Sequence, residues 1–334
     1  MSSLREVKDR IASVRSTLKI TSAMKLVASS KLRRLQGRAE ALRPYADALS
    51  AILAAVPRGV LNTDSSVSGP APLPPACART EEEGSAGRPL LIVFGGNASM
   101  CGAYNANVIK HALEEMRAAA PGTELWVCGK RVAQALEKSG FKPSKTFHSL
   151  ASAPSREEAY AFSAQLREDF FENGLYSSVR LLYTGFLSAG KQKTLVEAFL
   201  PWSGASSGAA SLSAPAATAA SSGFAPRPGV VSQATAAPRP GADKGSSVSS
   251  ETSEYIIEPS APELLSDLIP EVLDLRLYSA ALEAAASEHA SRMAAMQAAT
   301  DNATELLAAL TLEYNKGRQQ KITSEILDLV SGSL

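Results

Sequence analysis

A chain of 334 residues with 45% apolar side chains has material for two packed units. With 34 Lys and Arg against 33 Asp and Glu the net charge is +1, which excludes the global basic field of a nucleic-acid binder. No apolar run reaches the ~18 residues of a spanning helix, no apolar stretch follows the first basic residues as in a secretory signal, and Cys77, Cys101 and Cys128 lack disulfide or zinc spacing, so a soluble protein of a reducing cytoplasm is expected.

From Leu4, alternating steps of three and four residues pick out Val7, Ile11, Val14, Leu18, Thr21, Lys25, Ala28, Leu32, Leu35, Ala39, Leu42, Ala46, Leu49, Leu53 and Val56, with only Thr21 and Lys25 interrupting the apolar seam. A repeat of roughly 3.5 residues held over about seven heptads predicts one strand of a left-handed coiled coil spanning residues 1–56. Pro44 lies inside this helix and predicts a bend or a tolerated kink. An Arg- and Ser-rich start also resembles a mitochondrial transit peptide, but Glu6, Asp9 and the seam beyond the basic part favour a structural helix.

Residues 57–89, rich in Pro, Gly and Ser, cannot continue the helix and read as an extended linker. Residues 90–200 then alternate. The run Leu90–Phe94 reads as a buried strand, 103–119 as a helix, Leu125–Cys128 as a second strand, 132–138 and 156–173 as helices, and 178–186 with 193–199 as an antiparallel hairpin. Such alternation predicts a small Rossmann-like α/β domain with a largely parallel sheet. The next segment, 201–253, is almost entirely Ala, Ser, Gly, Pro, Thr and Val and is expected to be a disordered insertion.

The last unit, 254–334, carries a second helical seam: Leu275, Tyr278, Leu282, Ala285, His289, Met293, Met296, Thr300, Ala303, Leu307, Leu310 and Tyr314, with a four-residue stutter between His289 and Met293. Pro270 is suited to this helix's first turn. A helix from Glu271 to about Leu329 would be roughly 90 Å long at 1.5 Å per residue, longer than any compact domain needs. Residues 1–40 hold ten Lys or Arg and three Asp or Glu, whereas 271–334 hold five and nine, so the two termini attract each other. The fold class that follows is α/β: a long antiparallel coiled coil of the N- and C-terminal helices plus a small Rossmann-like α/β domain.

A catalytic constellation is hard to find. In the turn from Gly95 to Gly102, Asn97 stands where a dinucleotide fingerprint needs glycine, Ser99 lacks the glycines of a nucleophile elbow, and Gly129-Lys130-Arg131 lacks the rest of a phosphate loop. His111, His148 and His289 have no ligand spacing, and Cys101 reads as a small buried residue before it reads as a nucleophile. No cofactor and no metal are expected.

Particular words of the sequence are more specific. The stretch Ile11 to Leu32 (IASVRSTLKITSAMKLVASSKL) closely resembles the N-terminal signature of the γ subunits of F-type ATP synthases. Ser287 to Met293 (SEHASRM), Ala298 to Ala303 (AATDNA), Leu312 to Gln319 (LEYNKGRQ) and Ile322 to Ile326 (ITSEI) resemble the same family's final helix, and Cys101 to Asn107 (CGAYNAN) resembles its Cys-Gly-aromatic-Asn turn. Where that family usually has Asp-Arg-Gly before the turn, this chain has Asn97-Ala98-Ser99, and the later insertion lacks the cysteine pair of chloroplast members.

The resemblance implies a rotor without a catalytic site of its own. Its terminal helices would form the shaft inside a ring of α and β subunits, and its α/β domain the foot on the c-ring, with the ε subunit as a further partner. By resemblance, Arg318, Gln319 and Thr323 hold the positions that bond to β-subunit loops, and Met24 and Lys25 those that meet the β-subunit lever. It also implies a peripheral place on the cytoplasmic face of the bacterial inner membrane, touching the membrane only through the c-ring. A non-rotating coiled-coil adaptor and a nucleotide-dependent α/β enzyme are the rival readings.

Overall fold

The structure, a computed structural model, describes residues 4–55, 87–188, 190–201 and 261–332. The linker expected over 57–89 lies outside these residues as far as position 86, and so does all of the 201–253 insertion except Pro201. Helix α1 (Leu4–Ala55) runs unbroken through Pro44. It is followed by β1 (Arg88–Phe94), α2 (Tyr104–Ala118), β2 (Glu124–Cys128), α3 (Lys130–Lys138), β3 (Lys145–Phe147), the single turn α4 (Ser149–Ser152), α5 (Arg156–Arg167), β4 (Tyr176–Ser188), β5 (Lys191–Leu200) and α6 (Ala261–Gly332).

The five strands form one sheet in the order β3-β2-β1-β4-β5, with every pair parallel except the β4–β5 hairpin. Because side chains alternate across a strand, the run Leu90–Phe94 serves both faces. Leu90, Ile92 and Phe94 enter the core shared with α5 and α6, while Leu91 and Val93 enter the one under α2 and α3. Helix α5 starts where Ser155 Oγ accepts a hydrogen bond from the Glu158 backbone N–H at 3.2 Å, a capping box written in the sequence. It gives way to a π-helical turn over Glu168–Glu172, where a plain helix to 173 was expected.

Two elements were not anticipated. Strand β3 is only three residues long and exists because Phe147 is held by neighbours: its ring lies 5.7 Å from Trp126 and 4.6 Å, edge-on, from Phe162. Helix α4 follows it at once.

Helices α1 and α6 pack antiparallel. Leu4 lies against Gly317, the Thr300 hydroxyl donates to Thr21 Oγ1 at 3.0 Å, and Tyr45 bonds to Glu271 at the other end. Thr21 therefore interrupts the seam in sequence but not in space; its own hydroxyl donates to the Leu18 carbonyl and its neighbour across the seam is another threonine. At the far end Val7, Ile11 and Leu310 form a small closed cluster, and near the foot Ala46 and Leu49 meet Val272 and Leu275.

The start of α6 differs from expectation. It begins at Ala261, nine residues before Pro270, so this proline is internal and not in the first turn. The upstream turns are held by burial of Leu265 and Ile269 in the foot core. The missing proline N–H is tolerated, and the Pro270 carbonyl takes a hydrogen bond from Arg167 at 3.0 Å. From Val272 to Ala290 almost every residue of α6 is buried. This stretch is a helix enclosed on all sides by α1, α5 and the sheet, not one strand of a two-sided seam. Only beyond it does the two-helix rod stand free.

Candidate functional site

In a doubly wound sheet the C-terminal edge, where β1 ends in Gly95-Gly96, is the usual place for a ligand. Here the chain fills it. The Asn97 side-chain oxygen accepts from the Lys130 backbone N–H at 2.9 Å, and the Gly96 carbonyl accepts from the Arg131 N–H at 3.2 Å. The first two donors of α3, which a phosphate would need, thus point at the protein itself. Asn97 also donates through Nδ2 to the His148 carbonyl and to Ser152 Oγ, joining the turn to α4. The atypical asparagine has a structural task that sequence reasoning missed.

The glycines serve packing. A Cβ on Gly95 would lie 2.3 Å from the Val132 side chain, and one on Gly129, whose φ is +132°, would lie 2.5 Å from the Gly95 carbonyl oxygen. The backbones of two loops and a helix meet too closely there for any side chain. Asn105 completes the turn by accepting from the Gly96 N–H and donating to the Ala98 carbonyl and the Cys101 sulfur. Burial pushes the Cys101 thiol up, so it stays protonated at neutral pH. Among the described residues no group of three or more His, Cys, Asp or Glu could hold a metal ion.

The same turn locks onto α6. Tyr104 donates to the Ala284 carbonyl, Ser291 to the Cys101 carbonyl and Ser287 to the Thr184 carbonyl of β4. His289, buried beside Arg292 and near Lys31, has its pKa lowered to about 4, chiefly by desolvation, so the ring is neutral. Its Nε2 lies 3.4 Å from the Ser152 carbonyl and its Nδ1 3.2 Å from an Arg292 guanidinium nitrogen, which fits a proton on Nε2. Arg292 also pairs with Glu288, whose carboxyl is 1% exposed and shifted upward by burial. Glu283, further down the helix, is raised to about 7 by burial first and then by the charge of Glu197.

The residues expected to face partners lie elsewhere, in two places. Met24 and Lys25 are half-buried on α1, about one turn past the Thr21–Thr300 contact. Arg318, Gln319 and Thr323 are exposed on α6, and the Thr323 hydroxyl does no more than donate to the Gln319 carbonyl at 2.9 Å. The two groups are separated along the rod by roughly 20 residues of helix, or about 30 Å. Large apolar side chains are exposed beside both: Ile20, Leu26 and Val27 near the first, and Leu312, Ile322, Ile326, Leu327 and Leu329 near the second. Monomeric surfaces seldom present so many together.

Comparison with known proteins fits this geometry. The rotor of the Euglena gracilis mitochondrial ATP synthase superposes over 96% of this chain and 98% of its own, with a TM-score of 0.55 at 18% identity. A chain from the OSCP/F1/c-ring assembly of the same organism gives 0.56 at 17% identity, covering 98% and 92%. The fold, a two-helix rod rooted in a small α/β foot, is that of the central-stalk subunits of rotary ATP synthases. A family model described as ATP synthase matches residues 3–334. The ATP synthase gamma chain of Bacteroides fragilis is 40% identical over the full length of both chains, and that of Cytophaga hutchinsonii 34% identical over 100% of this chain and 98% of its own. The chain belongs to the ATP synthase gamma-chain family.

Proposed function

We propose that this chain is the central rotor of an F-type ATP synthase, carrying ion-driven rotation of a c-ring to the nucleotide sites of a surrounding ring of α and β subunits. The observation that carries the reading is the family match over residues 3–334 together with a rod whose free end exposes large apolar side chains such as Ile322, Ile326, Leu327 and Leu329. In this role the chain has no catalytic site. Its asymmetric rod presents different faces to otherwise equivalent β sites and shifts their populations between open and closed forms. Met24 and Lys25 would meet the β lever, and Arg318, Gln319 and Thr323 would bond to β loops nearer the tip. The foot would sit on the c-ring beside an ε subunit. Among the described residues no helix is long and apolar enough to cross a membrane, which suits a peripheral place on the cytoplasmic face of the bacterial inner membrane.

The test is co-expression with the α and β subunits of the same source and purification through a tag on β. A stoichiometric complex whose ATP hydrolysis depends on this chain supports the rotor. Failure to co-purify, with an intact ring of α and β present, would overturn it and leave a coiled-coil adaptor.

A further inference from the structure

We infer that Glu271, Asp274 and Arg276, three charged side chains within two turns of α6, act as a spline that stops the shaft from turning inside the foot and sets the torsional stiffness of that junction. Between them they reach α1, α5 and β5. One oxygen of Glu271 accepts from Tyr45 of α1 at 3.0 Å and from Tyr160 and Arg156 of α5 at 3.0 and 3.3 Å. Asp274 pairs with Arg167 of α5, which also donates to the Pro270 carbonyl and to Ser163 Oγ. Arg276, with its side chain only 4% exposed, pairs with Glu197 of β5 and donates to the Ala198 carbonyl at 3.3 Å. The other Glu197 oxygen accepts from Tyr183 of β4 at 3.1 Å.

The placement around the helix carries the inference. At roughly 100° per residue, Asp274 lies about 60° to one side of Glu271 and Arg276 about 140° to the other, so the ties approach α6 from separate directions. Rotation of the helix about its axis in either sense must stretch at least one of them. Apolar packing is non-directional, whereas charge-assisted hydrogen bonds have fixed geometry and oppose such slip. Net stability does not account for these pairs, because a buried ion pair is often matched or bettered by apolar residues of the same volume. A torque path through the foot needs a directional link at this level, where α6 enters its enclosed stretch.

This inference rests on the rotor reading, and its test keeps the two apart. In the assembled complex, with the ring stalled by an inhibitor, the angular fluctuation of a probe on the foot is recorded for the native chain and two variants. One combines Tyr45→Phe with Tyr160→Phe, which removes two hydroxyls from partly exposed rings without opening the core. The other combines Arg276→Met with Glu197→Met, which leaves no orphan charge. Each is expected to widen the angular variance by about twofold or more through loss of directional bonds, while ATP hydrolysis by the complex stays unchanged. Unchanged variance in the Tyr45→Phe/Tyr160→Phe complex would overturn the spline. So would a parallel loss of hydrolysis, since the ties would then serve the shaft's shape within the ring. A native chain that does not associate with the ring defeats the rotor reading instead.

Discussion

Removing residues 318–332 should loosen the chain's grip on its ring a thousandfold or so while leaving the foot as stable as before. The described part of α1 begins at Leu4, which lies against Gly317, and α6 runs on past that glycine to Gly332, a further 15 residues or roughly 22 Å. Every side chain described from Arg318 to Leu327 is exposed. Ile322, Ile326, Leu327 and Leu329 are 45%, 54%, 62% and 75% exposed. Full burial of such a side chain is worth about 1.5–3 kcal/mol, so covering the exposed part of each in a sleeve gives about 1 kcal/mol, and the four together about 4. At 1.4 kcal/mol per tenfold, that is close to a factor of 10³ in affinity. The assay is titration of rings of α and β subunits with the full and the truncated chain, with a thermal melt of each chain alone. The melting temperature should move by no more than about 2 °C, as for a change at an exposed surface. Unchanged ring affinity would refute the reasoning, because the tip would then contribute no grip. A large drop in melting temperature would show that the tip packs on its own chain.

Other consequences can be measured on the isolated chain. Thr21→Val alone should cost up to about 1 kcal/mol, since the single Thr300 hydroxyl hydrogen can turn to the Met296 carbonyl instead, and Thr21→Val with Thr300→Val should be neutral or stabilising; a denaturant double-mutant cycle gives the sign. Gly129→Ala forces an alanine to φ +132° and a Cβ to 2.5 Å from the Gly95 oxygen, so the foot should lose at least about 3 kcal/mol, read as a lower melting temperature. Glu283 has a folded pKa of about 7, above its unfolded 4.5, so its protonated form contributes stability that is present below pH 4.5 and lost as pH rises through 7. Glu283→Gln should therefore gain stability over the native chain progressively between pH 4.5 and 7, reaching on the order of 3 kcal/mol at pH 8; a difference that does not change with pH would contradict that shift.

Much of the architecture was legible because its signals were long or local. A seam repeated from Leu4 to Leu53 leaves few alternatives to a rod, and the run Leu90–Phe94 and the Ser155 capping box announce their elements within a few residues. Strand β3 was hidden because Lys145-Thr146-Phe147 has no pattern of its own; what makes it a strand is Phe147 among Trp126 and Phe162, contacts made in space. The early start of α6 was hidden for the same reason, since burial of Leu265 and Ile269 against the foot outweighs Pro270. The enclosure of Val272–Ala290 did leave a trace, because Ala280, Ala281, Ala284, Ala285 and Ala286 put small apolar residues on every face of the helix. That composition suits a helix surrounded on all sides better than one strand of a seam. Met24, Lys25, Arg318, Gln319 and Thr323 came from family resemblance alone: on the chain itself they are half-buried or exposed side chains, and what would distinguish them is a partner surface.

The central claim is rotation, and it is tested most directly by fixing rings of α and β subunits to a surface through β, attaching a probe to the foot of this chain, and watching it under ATP. The account predicts stepwise turning in one direction that stops when ATP is withdrawn. A probe that stays fixed, or only fluctuates about one angle, while the ring hydrolyses ATP would contradict it.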